Sequence, residues 1–187
     1  QSPIDAVHER RELAAVSRCD TALHGCVTSW DDTTAKQIAA MADGGVRTIK
    51  LFTTYKDVVM AQPDTVLEVL RTLHAQGGIA YVHAEANHVI EDAQDLAAAA
   101  ERADAGHHPL TRPELAEAAA VAEVLATAEH VGAPVYFVHQ TTAEAVDLVR
   151  AARRRGVRAY TETCPHYLTL DEGTYSEEHP ERYVCCP

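Results

Sequence analysis

The sequence predicts an α/β fold built on a parallel sheet, and three observations carry that expectation. Short apolar runs alternate with Ala-rich or amphipathic stretches at least four times along the 187 residues. The runs are nearly continuously apolar, as strands covered on both faces are. Gly-Gly and Gly-Ala-Pro punctuation stands between the segments. A barrel and a doubly wound sheet both satisfy this pattern. No GxGxxG or P-loop follows any strand, which weakens the nucleotide-binding version.

The elements follow in order. Residues 3–18 read as a helix, with Pro3 in the first turn and Ile4, Val7, Leu13 and Val16 as a loose stripe. Residues 21–28 read as a strand. Trp30-Asp31-Asp32-Thr33 supplies a turn and caps for a helix over 34–42, which Gly44-Gly45 ends. Residues 47–52 form the next strand. Gln62-Pro63-Asp64 opens a helix over 65–76, closed by Gly77-Gly78. Residues 79–82 are a short strand ending at His83. A longer insertion follows: helix over 87–105, loop over 106–109, then a helix from Arg112-Pro113-Glu114 to about His130. Gly132-Ala133-Pro134 leads into a strand over 135–138 that ends at His139. A helix over 141–155, capped by Gly156, and a strand over 157–163 complete the regular part. The tail from Pro165 is irregular until the apolar 183–186.

Composition excludes several function classes. The formal charge is −12, with 16 Lys and Arg against 28 Asp and Glu. That balance offers no cationic surface for a phosphate backbone, so no nucleic-acid partner is expected. Hydrophobic residues at 47% and charged residues at 24% describe an ordinary globular chain. No apolar stretch approaches the roughly 18 residues of a membrane span. The five cysteines, Cys19, Cys26, Cys164, Cys185 and Cys186, include no CxxC pair. Reduced thiols and a cytoplasmic location are expected, and a cysteine zinc site is not.

The informative polar residues share one address. Lys50 lies within Ile49-Lys50-Leu51-Phe52, while His83 and His139 end two later strands. In a parallel barrel the carboxyl ends of the strands form one mouth, where catalytic groups converge. A lone His there is an ordinary loop residue, but two in matching contexts suggest metal ligands. Lys50 is the sharper anomaly. An ammonium inside an apolar strand is costly unless it is paired, snorkels to the rim or loses its proton. A neutral amine can react with carbon dioxide, and the carbamate formed could bridge two metal ions.

Here the residues point to a family. Lys50-Leu51-Phe52-Thr53-Thr54-Tyr55-Lys56-Asp57, Val82-His83-Ala84-Glu85, Val138-His139 and Glu162-Thr163-Cys164-Pro165-His166-Tyr167-Leu168 resemble the dihydropyrimidinase/hydantoinase branch of the cyclic amidohydrolases. The intervals, 33 residues from Lys50 to His83 and 56 from His83 to His139, fit as well. The resemblance covers essentially the whole chain. It implies a TIM-like (β/α)8 barrel with two divalent metal ions, usually zinc. It implies that Lys50 is the carboxylated lysine bridging both metals and that His83 and His139 bind one of them. Tyr55 would donate a hydrogen bond to the oxyanion formed at the scissile carbonyl. Cys186 stands where relatives contact the substrate ring through the backbone. The implied chemistry is attack of a metal-bridging hydroxide on a ring amide. The implied partners are a small cyclic amide or ureide and further copies of the chain, commonly in a tetramer.

The resemblance also marks what the sequence lacks. The family's His-x-His pair on the first strand and its strand-end Asp on the last are both absent. The chain therefore reads as a partial catalytic barrel domain over 1–187, about strands three to seven of eight. A whole barrel takes roughly 250 residues. Alone, such an arc is expected to be inactive and poorly folded. Allantoinases and dihydroorotases share the Val82–Glu85 pattern, and allantoinases the Cys164–Leu168 pattern, but their loop after the lysine usually lacks Thr-Tyr-Lys-Asp. A dihydropyrimidine or hydantoin ring is therefore favoured over allantoin or dihydroorotate. A non-enzymatic dihydropyrimidinase-related scaffold is the other alternative, although it would have no need of Lys50, His83 and His139. Glu85 and His166 are expected to play structural or supporting parts, and His107-His108 to lie in a loop without metal.

Overall fold

A computed structural model describes residues 2–185. The strands β1 (Gly25–Cys26), β2 (Thr48–Phe52), β3 (Ile79–His83), β4 (Val135–Phe137) and β5 (Ala159–Thr161) form one sheet in sequential order. All four pairings are parallel. Helix α1 (Pro3–Ala14) precedes β1, and α2 (Thr34–Asp43), α3 (Pro63–Ala75), α5 (Glu114–Val131) and α6 (Ala143–Arg154) lie in the crossovers that parallel neighbours require. Helix α4 (Asn87–Ala99) and a 3-10 segment, Ala105–Thr111, form the insertion between β3 and α5. The predicted strand–helix alternation is present throughout.

The expected burial of both sheet faces is not. One face packs on the helices: Ile49, Leu51, Ala80, Val82, Val135 and Phe137 are fully buried against Ile38, Val69, Leu70, Val121 and Val149. The residues between them stay partly exposed, as the alternation along β2 shows at Thr48, Lys50 and Phe52. The register puts Cys26, Lys50, Tyr81, Tyr136 and Tyr160 in one row across this second face. Strand side chains alternate between faces, so apolar runs hid a polar row. Tyr81 and Tyr136 stack at 4.6 Å, and Tyr136 donates to Glu162 Oε2 at 2.9 Å.

The predicted ends needed correction at the margins. Strand 21–28 reduces to Gly25–Cys26, because β1 is an edge with ladder partners over that length alone. Strand 157–163 reduces to Ala159–Thr161. Its edge still donates from Glu162 N to Phe137 O and accepts from Gln140 N. Helix α1 stops at Ala14 rather than Arg18: Leu13 and Val16 are 58% and 86% exposed, so the stripe beyond Val7 has nothing to pack on. Likewise α4 stops at Ala99, and the expected loop after it is the 3-10 segment. The irregular tail contains 3-10 turns at Pro165–Leu168, Glu172–Ser176 and Pro180–Arg182.

Local chemistry explains the other boundaries. Pro63 occupies the first turn of α3, where a missing N–H costs nothing. Thr142 caps α6 by accepting from Ala145 N. Gly132 ends α5 with φ 74°, a left-handed conformation that a Cβ disfavours. Gly78 approaches β2 so closely that a Cβ would lie 2.5 Å from Arg47 O. The four described cysteines are free. Among the described residues no helix is long and apolar enough to cross a membrane.

Candidate metal centre and active site

The ends of β2, β3 and β4 lie side by side, so the loops leaving them meet. Thr53 stitches the first two together. Its N–H donates to His83 O, its hydroxyl donates to Glu85 O at 2.8 Å, and the same hydroxyl accepts from Glu85 N at 2.9 Å. Thr54 Oγ1 and Lys56 N both donate to Asn87 Oδ1. Between these anchors Tyr55 adopts φ 65°, and its carbonyl accepts from the backbone of residues 58, 59 and 60. A tyrosine in the left-handed region is strained and persists only where its surroundings over-determine it. The Tyr55 ring stands 5.3 Å from the His83 ring.

His83 is 2% exposed and bonded on both ring nitrogens. Nε2 meets Glu85 Oε2 at 2.6 Å, and Nδ1 faces His139 Nε2 at 3.2 Å. Burial pushes the Glu85 carboxyl up, but the His83 bond and the Arg112 charge more than offset this and hold it below the usual range. Glu85 is therefore an acceptor, so His83 carries its proton on Nε2 and turns the Nδ1 lone pair toward His139. Carboxylate orientation of an imidazole is the arrangement that supports metal-binding histidines. His139 has φ 43°, a second strained position at a strand end. Burial, His83 and Lys50 together bring its pKa down to about 4, so its imidazole is neutral at pH 7.

The backbone around His139 is held from below by Glu117 on α5. This buried carboxylate accepts from Thr141 N and Oγ1 and from Thr142 N and Oγ1. Gln140, 3% exposed, leaves its Oε1 without a partner among the described residues.

Lys50 projects from the second sheet face, with Nζ 4.8 Å from the Phe52 ring centroid. Burial lowers its pKa to about 8, against the pull of Cys26 and Glu162. An appreciable fraction of the amine is therefore neutral near physiological pH.

A cavity of about 500 Å³ opens beside the two histidines and is lined by His83, Glu85, Arg112, His139, His166 and Tyr167, but not by Lys50 or Tyr55. His166, expected to be structural, stands on the rim of the same cavity as the two strand-end histidines. His108, on the 3-10 segment that stands where a loop was expected, also lines it. His107 pairs instead with Asp104 at the surface. Cys186 lies outside the described residues. Sequence reasoning missed Arg112 and Glu117. The available signal for Glu117 was a lone acid among the helix-packing alanines Ala116, Ala118 and Ala120.

Two imidazoles with facing nitrogens can share a proton or hold one divalent cation together. Among the described residues no group of three or more His, Cys, Asp and Glu side chains could hold a metal ion. The pair fits as part of a donor set, and Lys50, whose charge bears on His139, is the other candidate on these strands.

No protein-family model matches the chain. A D-hydantoinase from Ralstonia pickettii is 36% identical over 154 residues, 82% of this chain and 34% of the relative. A D-phenylhydantoinase from Escherichia coli O9:H4 (strain HS) is 33% identical over 169 residues, 90% of this chain and 36% of the relative. Among solved structures, a D-hydantoinase superposes with TM-score 0.96 at 33% identity, covering all of this chain and 42% of its own. The dihydropyrimidinase from Brevibacillus agri NCHU1002 gives TM-score 0.92 at 30% identity over 97% of this chain and 40% of its own. The chain thus spans about a third of the length of the curated relatives it matches. Over the stretch that it spans, in sequence and in the arc of parallel strands alike, the chain is homologous to D-hydantoinases and dihydropyrimidinases.

Proposed function

We propose that this chain is the central part of a TIM-like catalytic barrel that hydrolyses the cyclic amide bond of dihydropyrimidines or hydantoins. The observation that carries the reading is the His83–His139 pair, whose ring nitrogens face each other at 3.2 Å between adjacent strand ends. Five consecutive parallel strands leave two edges, β1 and β5, which the remaining strands of a barrel would pair.

His83 Nδ1 and His139 Nε2 would hold one of two divalent ions, zinc being the expected metal. Lys50 would bridge both ions after carboxylation, in which its neutral amine bonds to the carbon of carbon dioxide and releases a proton. Its lowered pKa supports this, because only the neutral amine is a nucleophile. Bound there, the two ions would activate water as the nucleophile and polarise the ring carbonyl. Tyr55 donates its phenolic O–H to the carbonyl oxygen as negative charge develops there. Glu85 holds His83 in the tautomer that leaves Nδ1 available. Cys186 would contact the ring through its backbone. The full-length protein is proposed to be cytoplasmic and to assemble as a tetramer.

The test is hydrolysis of hydantoin and dihydrouracil by the full-length protein, with metal content measured on the same sample. Ring opening that needs bound zinc is expected, and His83→Ala should remove both metal and turnover. A metal-free protein that leaves both rings intact would replace this reading with a scaffold. Ring opening of allantoin or dihydroorotate alone would change the substrate class.

A further inference from the structure

Arg112 lies just ahead of α5, 27 residues from Glu85 in sequence, yet its Nη1 donates to Glu85 Oε2 at 2.6 Å. The same carboxylate oxygen bonds to His83 Nε2. The Arg112 guanidinium also lies 5.4 Å from the Tyr55 ring centroid. Both members of the ion pair are largely buried, with side chains 17% and 18% exposed. One cation therefore touches the carboxylate behind His83 and the face of the ring proposed to serve the oxyanion. Arg112 Nε has no hydrogen-bond partner among the described residues. The side chain is thus held by Glu85 and Tyr55 rather than by saturation of its donors.

We infer that Arg112 is a positioning residue: through Glu85 it fixes the metal-binding face of His83, and through its guanidinium plane it holds Tyr55. The inference rests on the reading of His83 as a metal ligand. A carboxylate left without Arg112 can rotate away from the imidazole, and the imidazole can then turn its Nδ1 off His139. A lysine would keep a charge for Glu85, but its compact ammonium has no plane to lie over a ring. The segment joining α4 to α5 thereby reaches the chemistry without contributing a ligand.

The test is cobalt(II) titration of the metal-depleted full-length protein, read by visible absorption. Arg112→Met should weaken cobalt binding about 10–100-fold, as loss of a group orienting a metal ligand does. Glu85→Gln should do the same. The double variant should be no weaker than the worse single variant, because both act through one contact. Arg112→Lys should recover part of the affinity. At saturating cobalt, Arg112→Met should still turn over hydantoin with lower kcat at near wild-type KM, since Tyr55 has lost its cation. Wild-type affinity in folded Arg112→Met, or losses that simply add in the double variant, would overturn the inference. If Arg112→Met does not fold, Arg112→Lys combined with Glu85→Gln gives the same coupling measurement with the same two outcomes. Cobalt binding that depends on this relay, without ring hydrolysis, keeps the inference and sinks the proposed function. Turnover with additive or unchanged affinities does the reverse.

Discussion

The His83 corner and the Lys50 face lie on neighbouring strands but are built in opposite ways. His83 is 2% exposed and bonded at both ring nitrogens, and the loop carrying its neighbour His139 is pinned by a buried carboxylate. Lys50 stands half-buried in a row with tyrosines on the partly exposed sheet face. The first region is organised entirely by residues of this chain. The second presents its side chains to a space that the described residues do not fill. The two histidines are cross-braced by the loops next to them, whereas Lys50 keeps room around its amine.

The largest expected effect comes from breaking the looser side of this contrast. Lys50→Ala in the full-length protein should abolish metal-dependent hydrolysis and lower the metal content. Normal rates with full metal occupancy would remove Lys50 from the site. Tyr55→Phe should lower kcat by about 10²–10³, the usual cost of losing one oxyanion donor, with metal content unchanged. A parallel fall in bound metal would instead make Tyr55 a support for the histidines.

Stability measurements sharpen the comparison further. Leu70→Ala empties a fully buried position between helix and sheet and should cost about 2–5 kcal/mol in chemical denaturation, without altering cobalt affinity. Glu117→Ala leaves the donors of Thr141 and Thr142 unmatched and should cost about 1–3 kcal/mol. It should also weaken metal binding, because the chain leaving His139 is released. The smallest effect is expected at the second sheet face. Tyr136→Phe removes only a solvent-accessible bond to Glu162 and should change stability by no more than about 0.5 kcal/mol. A loss several times larger would show that the tyrosine row is a core in its own right.

Much of the fold was legible because its signals are local. Pro63 and Gly132 mark the ends of helices through their own backbone preferences, and apolar runs bounded by such residues place β2, β3 and β4 within a residue. The errors fell where partners decide length: β1 and β5 are edges, and α1 loses its last turn for want of a surface to cover. The candidate site was legible where it departs from strand composition, at Lys50, His83 and His139. Arg112 and Glu117 were not, because each acts across 24 or more residues on a partner that gives no local sign of needing it.

The sequence by itself determined the βα alternation, the acidic balance and the placement of an amine within one strand and of two imidazoles where later strands finish. These follow from periodicity and from backbone chemistry, which act over a few residues. Only the tertiary structure decided that His83 Nδ1 faces His139 Nε2, that one carboxylate and one arginine stand behind that pairing, and that the sheet has a polar second face. Those facts depend on strand register and on contacts between distant segments, where a shift of a single residue would turn every side chain to the opposite face.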